Sequence, residues 1–180
     1  MDYSRFLSDE HKAIRRAVDV LNAMTARAEQ NVQVDIHDVN ALLMFLHYFG
    51  DVCHQAKEET ILFPALQSSE GFTSSFEPAA LLKGHNEERA LIEQTQLTLF
   101  TDNHSEFVAS ARRLINVLSE HLTKEESVVF PLAEQILTRE KAMEIGYRMQ
   151  EADANFGYTQ RKLLLDLLQQ LADKYIRKAA

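Results

Sequence analysis

Two segments of this 180-residue chain, 54–64 and 121–131, share the pattern H-x-x-K-E-E-[TS]-x-[LV]-F-P. They are separated by a constant offset of 67 residues (121 − 54 = 67). A second pattern, H-x-x-x-R, also occurs twice, beginning at His11 and at His85. Two unlike motifs that alternate in the same order along a chain indicate two similar halves. We therefore expect two helical hairpins related by a pseudo-twofold axis.

Helical periodicity and a scarcity of helix breakers predict an all-α protein. The chain has only five Gly and three Pro, and its apolar residues recur at helical spacing. The predicted helices cover residues 4–30, 35–66, 77–101 and 104–137, with Asp35 as an N-cap and 67–76 as the clearest loop. Short links between long helices are typical of an up-down-up-down four-helix bundle.

The residues beyond 137 lie outside the repeat and are predicted to form additional C-terminal helices. Thr138 suits a helix cap, and residues 155–157 suit a break before a last amphipathic helix. We accordingly divide the chain into a bundle, 1–137, and an extension, 138–180. The extension either packs on the bundle or forms a homodimer interface through its leucines, which are Leu163, Leu164, Leu167, Leu168 and Leu171.

The repeated motifs bring together a set of metal-ligating side chains. Residues four apart on an α-helix share one face, so His54 and Glu58 project together, as do His121 and Glu125. Rotation by about 100° per residue predicts that Glu59 and Glu126 lie off that face. One histidine from each remaining helix completes a candidate set of six: His11, His54, Glu58, His85, His121 and Glu125.

Four imidazoles and two carboxylates are suited to a pair of metal ions. Two cations a few ångströms apart repel each other, so they need anionic bridges, which the two carboxylates can provide. Mixed nitrogen and oxygen ligation favours iron, with manganese or zinc as alternatives. A single buried histidine is usually a packed core residue. Six buried ionisable groups without a metal would instead carry a large desolvation cost.

These residues resemble the hemerythrin-like (HHE cation-binding) family, bacterial di-iron type, over about residues 5–137. The order H…HxxxE…H…HxxxE and the surrounding KEExxLFP context carry the resemblance. It implies a four-helix bundle that holds two iron ions (Fe2+/Fe3+) with an oxo or hydroxo bridge. It also implies binding of oxygen or related small molecules.

Two departures separate the chain from the oxygen-carrying members of that family. Those proteins have a fifth histidine where this chain has Arg89, and an Asp five residues after the fourth-helix histidine, whereas Glu125 comes four residues after His121. The chain is closer to bacterial members that sense or process oxygen, nitric oxide or peroxide. It also resembles di-iron proteins of iron–sulfur repair, but their cysteine-bearing N-terminal domain is absent from this sequence.

Several other side chains have more than one interpretation. Arg15 and Arg89 face the site by spacing, where they either pair with a carboxylate or extend to solvent. His47 lies one heptad before His54 and is predicted to be a packed core residue. Cys53 is predicted to be a small buried hydrophobe. A ferritin-like centre is set aside, because no Glu lies three residues before His54, His85 or His121.

Composition excludes some functions and leaves others open. The net charge of −8 argues against a nucleic-acid partner, and no apolar run is long enough for a membrane span. The single cysteine and the lack of a secretory signal favour a cytoplasmic protein. Three functions remain: a sensor or binder of oxygen or nitric oxide, an enzyme acting on peroxide or nitric oxide, and an iron-handling or iron–sulfur repair protein.

Overall fold

The computed structural model describes residues 3–70, 78–101 and 104–176, and these contain six helices and no strand. The helices are α1 (Tyr3–Glu29), α2 (36–67), α3 (Pro78–Thr98), α4 (104–136), α5 (Arg139–Phe156) and α6 (Tyr158–Tyr175). The all-α bundle with additional C-terminal helices is thus confirmed. The predicted loop 67–76 falls mainly on residues 71–77, which lie outside the described residues, as do positions 102–103.

The predicted helix boundaries at Asp35, Thr138 and Gly157 are confirmed by local hydrogen bonds and backbone geometry. The Asp35 side chain accepts a hydrogen bond from the His37 backbone N–H, and the Thr138 hydroxyl oxygen accepts one from the Lys141 N–H. These caps satisfy amide groups that have no partner within the helix. Gly157, with φ of 101°, separates α5 from α6 in a conformation that favours glycine.

Helices α2 and α4 contain π-helical segments at the motif residues. Within α2 these are Leu46–Gln55 and Glu58–Leu62, and within α4 the segment is Glu125–Val129. Each π-helical turn that contains the two glutamates of a K-E-E motif ends just before a Phe-Pro pair. The Phe63 N–H donates to the Glu58 carbonyl, and the Phe130 N–H donates to the Glu125 carbonyl, five residues back in each case. The helices then continue, so Pro64 and Pro131 do not end them.

The buried apolar residues form two clusters, and the histidines and glutamates of the candidate site lie between them. One cluster includes Leu7, Leu62 and Phe130, and the other includes Ile14, Phe49 and Leu118. A polar layer across the bundle interior is costly unless its groups are partnered. The candidate site is therefore a polar layer inside an otherwise apolar helical core.

The two C-terminal helices pack on α1 and α2 within the same chain. Leu168 and Leu171 of α6 are buried in the core, Leu164 and Leu167 are partly buried against it, and Leu163 is exposed. The apolar face of α6 that suggested a homodimer is therefore largely buried against the bundle of the same chain. A homodimer and the boundary at 137/138 both stay predictions. In the described part of the chain, no helix has the length and apolar character needed to cross a membrane.

Candidate metal centre

The six side chains selected from the sequence converge at mid-depth in the bundle. They form two overlapping groups in which the potential ligand atoms lie within 4.8 Å of one another. One group contains His11 and His54, and the other contains His85 and His121. Glu58 and Glu125 belong to both groups. This sharing is the arrangement expected of two carboxylates that bridge two adjacent cations.

Outer carboxylates fix the orientation of three of the four imidazoles. The Nδ1 atom of His11 lies 3.0 Å from Glu126, that of His54 lies 3.0 Å from Glu10, and that of His85 lies 2.7 Å from Glu59. An ionised carboxylate only accepts hydrogen bonds, so each Nδ1 carries the proton and donates it. In a neutral imidazole the inward Nε2 then presents a lone pair.

The lowered pKa values of these outer carboxylates show that they are ionised, which agrees with a proton on each Nδ1. Burial opposes ionisation of Glu10, but hydrogen bonds and charges from His54 and Lys57 outweigh it and lower its pKa to about 2. Burial likewise opposes ionisation of Glu59 and Glu126. Hydrogen bonds from Arg89 to Glu59 and from Arg15 to Glu126, together with the histidine contacts, outweigh it and lower both pKa values.

Lone pairs and unpartnered carboxylate oxygens therefore point at one another in the centre. The Nε2 atoms of His11 and His54 are 3.1 Å apart. Both oxygens of Glu58 are buried and lack a hydrogen-bond partner among the described residues. The buried oxygens of Glu125 lie 2.9 Å from His121 Nε2 and 3.4 Å from His11 Nε2. Burial and the charge of Glu125 raise the pKa of Glu58 well above its usual range. Such a concentration of acceptors fits a cationic occupant, and nitrogen and oxygen donors fit a transition metal.

The comparison with known protein families agrees with this geometry. Residues 2–133 match the family model described as the hemerythrin HHE cation binding domain. The chain belongs to the hemerythrin family. No curated protein and no solved structure gave a significant match. Family membership and the two clusters together indicate a metal-binding protein.

In this hemerythrin-family centre, the second glutamate of each K-E-E motif lies outside the two ligand groups, but it is adjacent to them. Glu59 and Glu126 do not join the six convergent residues, yet each contacts the outer nitrogen of a histidine on another helix. The reason is the π-helical turn that includes each pair of glutamates. A wider turn, closed by hydrogen bonds five residues apart, keeps two consecutive side chains near the same layer.

The two arginines of the H-x-x-x-R motifs complete this outer shell. Arg15 donates to Glu126 at 2.7 Å, and Arg89 donates to Glu59 at 2.6 Å and to Asp51 at 2.7 Å. Each arginine thus orients the glutamate that in turn orients a histidine from the arginine's own helix. Both repeated motifs are accounted for by this one arrangement, which occurs twice and each time links a helix of one half of the bundle to a helix of the other half.

The two halves differ at the outer nitrogens of His54 and His121. Glu10 lies 3.0 Å from Nδ1 of His54, whereas Nδ1 of His121 lies 3.6 Å from Glu88. Burial raises the pKa of Glu88 to about 7, although the charges of His121 and His85 act in the opposite direction. His121 also places its Nε2 2.9 Å from Glu125. The two ends of the centre are therefore electrostatically different.

The lysines of the repeat differ as well. Lys57 is buried and contacts Glu10 at 2.5 Å and Asp153 at 2.6 Å, whereas Lys124 is exposed. Arg161 of α6 also donates to Glu10, at 2.9 Å. The C-terminal helices therefore contact a carboxylate that holds His54. Sequence analysis missed Glu10, and its only local signal was a charged residue directly before a candidate ligand.

The sequence predictions for Cys53 and His47 can also be compared with the structure. Cys53 is buried, and burial raises the pKa of its thiol to about 11, so it remains protonated beside the charges of Lys57 and Asp153. His47 was predicted to be a packed core residue, but it is exposed, with its ring 3.6 Å from Asp51. The predicted position on the stripe of His54 was wrong because π-helical turns lie between the two residues.

Proposed function

We propose that the protein holds two iron ions between its four bundle helices and uses them to bind or react with oxygen, nitric oxide or hydrogen peroxide. A role in the response to oxygen or to oxidative or nitrosative stress would follow. The observation that carries this proposal is the pair of inward nitrogens on His11 and His54 facing two buried carboxylates that belong to both ligand groups. Without a cation these acceptors repel one another.

Iron fits the donor set better than zinc does. Structural zinc is usually held by four ligands in a closed tetrahedron, whereas here six side chains form two groups that share two members. Glu58 and Glu125 would bridge, and the histidines would occupy terminal positions with their outer nitrogens held by carboxylates. When bound, an iron pair supplies reversible electron transfer to small oxygen and nitrogen species.

The position of Arg89 favours a metal centre that reacts with its small ligand over one that only carries oxygen. It stands where the oxygen carriers have a fifth histidine, and its guanidinium is engaged with Glu59 and Asp51. A charged guanidinium has no lone pair to offer a metal. The protein therefore supplies four imidazoles, which leaves more of the metal coordination to exogenous ligands than a five-histidine centre does.

Anaerobic reconstitution with ferrous iron tests the proposal directly. We expect about two iron ions per chain, because two clusters share two bridging carboxylates. After exposure to oxygen, the absorption spectrum should show charge-transfer bands of a ferric pair. Parallel exposure to hydrogen peroxide and nitric oxide shows which ligands react. One zinc ion per chain and no uptake of iron would contradict the proposal.

Glu59→Gln and Glu126→Gln test the outer shell. Each variant weakens the acceptor for an imidazole N–H, so we expect metal affinity to fall about 10- to 100-fold, as for other outer-shell changes. Competition with a chelator measures this affinity. The control is Glu134→Gln, an exposed glutamate on α4, which should bind metal like the parent. Unchanged affinity in both outer-shell variants would show that these contacts do not position the histidines.

A further inference from the structure

A largely buried cluster of four charged side chains joins the C-terminal helices to the metal centre. It consists of Glu10 on α1, Lys57 on α2, Asp153 on α5 and Arg161 on α6. Lys57 contacts both carboxylates, Glu10 at 2.5 Å and Asp153 at 2.6 Å. Two cations and two anions leave the cluster neutral, so its members can be buried without an unpaired charge.

Glu10 uses its two oxygens for different partners. Oε2 accepts a hydrogen bond from Nδ1 of His54 at 3.0 Å, and Oε1 accepts one from Arg161 at 2.9 Å as well as one from Lys57. The carboxylate thus lies between a metal-ligating ring and a helix from outside the four-helix bundle. Glu10 is fully buried, and in a site without water its hydrogen bond with His54 is stronger than it would be in solvent.

Arg161 holds a part of α6 that has little other anchorage in the core. Its guanidinium lies over the ring of Phe49, 5.0 Å from the ring centroid, and its Nε lies 3.9 Å from Asp153. From Tyr158 to Leu167 the side chains of α6 are exposed or only partly buried. The fully buried residues all lie in the second half of the helix, and they are Leu168, Leu171, Ala172 and Tyr175. The first half of α6 is therefore the part of the helix that opens more easily.

The other half of the metal centre is held from within the bundle. At Glu88, the carboxylate nearest to Nδ1 of His121 that the structure pairs with it, Oε2 accepts a hydrogen bond from the amide of Gln55 at 2.5 Å. Lys124, the counterpart of Lys57, is exposed. The group of His11 and His54 is thus the one that α6 contacts through Glu10.

We infer that Arg161 is a positioning residue of the metal centre, through which docking of the first half of α6 and metal binding at the group of His11 and His54 stabilise each other. This inference rests on the proposed function, because it concerns the metal that the centre holds. Metal at Nε2 of His54 would fix the ring and make its Nδ1–H a stronger donor, which holds Glu10 in place for Arg161. When α6 opens, water reaches Glu10 and competes with His54 for it. Such coupling acts equally in both directions.

Hydrogen exchange of backbone amides tests the coupling on the full chain, as apo-protein and after anaerobic loading with ferrous iron. Amides near a helix start exchange by local opening, so stabilisation against global unfolding does not alter them. We expect loading to slow exchange about tenfold at residues 162–165 of α6, within the usual range of coupling between two sites.

The first turn of α5 is the internal reference for this measurement. Residues 142–144 are comparably exposed and lie about three turns before Asp153. Loading should slow their exchange less than about twofold, because their local opening does not expose Glu10. Similar slowing at both helix starts would overturn the inference.

Arg161→Met keeps most of the side-chain length and removes the guanidinium. The slowing at residues 162–165 should then fall below about twofold, whereas Arg161→Lys, which keeps the charge for the single contact with Glu10, should retain most of it. Lys162→Met is the matched control, because it removes a neighbouring exposed cation that pairs with Asp166 at 2.5 Å. It should behave like the parent.

Undiminished slowing in folded Arg161→Met would overturn the inference, with folding checked by helical circular dichroism. Should Arg161→Met fail to fold, the comparison of the two helix starts in the parent decides alone.

Loading with zinc separates this inference from the proposed function. Zinc also accepts nitrogen and oxygen ligands, and the exchange measurement needs no redox chemistry. Slowing at residues 162–165 with zinc, in a chain that takes up no iron, would support the coupling and contradict the iron pair. Iron uptake without slowing would overturn the coupling and leave the proposed function intact. No slowing with either metal would overturn the coupling as well.

Discussion

Glu58→Gln or Glu125→Gln is expected to prevent stable binding of at least one iron ion per chain. Each carboxylate belongs to both ligand groups, so each variant removes a negative charge from both metal positions. Glutamine keeps the volume of the side chain, and the loss is therefore electrostatic and not a packing defect. Metal affinity should fall more than about 100-fold, beyond the range typical of outer-shell changes. Iron analysis after gel filtration measures the result.

The matched control for these variants is again Glu134→Gln, which changes the same functional group on the surface of α4. It should retain about two iron ions per chain, like the parent. Folding is checked by helical circular dichroism, because an unfolded variant would lose iron for a trivial reason. Two iron ions in folded Glu58→Gln and Glu125→Gln would exclude these carboxylates as bridges.

Lys57→Met is expected to destabilise the fold by about 3–5 kcal/mol, the range found when one partner of a buried ion pair is removed. The variant leaves Glu10 and Asp153, both buried, without their nearest cation. Burial would lower the pKa of Lys57, but the charge of Glu10 and the contacts with Cys53 and Asp153 together outweigh it and raise the pKa, so the lysine is charged in the folded protein. The melting temperature should fall by about 10 °C for a chain of this size.

Lys124→Met is the matched control, because it changes the corresponding lysine of the other repeat. Lys124 is exposed, and exposed substitutions usually change stability by less than about 0.5 kcal/mol. Thermal unfolding of both variants in the same buffer gives the comparison. Equal stability of the two variants would mean that the ion pairs of Lys57 contribute nothing to the free energy of unfolding.

The repeat made the convergence of six side chains predictable from the sequence. His54 with Glu58, and His121 with Glu125, are spaced so that an α-helix or a wider turn places them together. The repeat supplied the second pair independently of the first. The family and the all-α fold followed from the same residues, since few residue patterns combine these spacings with long uninterrupted helices.

Other parts of the site could not be predicted, because they depend on contacts across the fold. Glu10 and Arg161 are 151 residues apart in the chain and meet only after α6 packs on the bundle. The interaction of Gln55 with Glu88 depends on the separation of α2 and α3. The leucines of α6 showed an apolar face, but periodicity does not say whether that face packs on the same chain or on another.

The widened turns also change how spacing between ligands should be compared among related chains. On an ideal α-helix, positions four and five after a histidine differ in direction by about 100°. In α4 the residues at these positions, Glu125 and Glu126, both contact His11. Carboxylates at both spacings can therefore contact the same histidine, Glu125 at the inward Nε2 and Glu126 at the outer Nδ1. Insertion or deletion of a single residue near such a turn can be absorbed locally, without rotating the remainder of the helix.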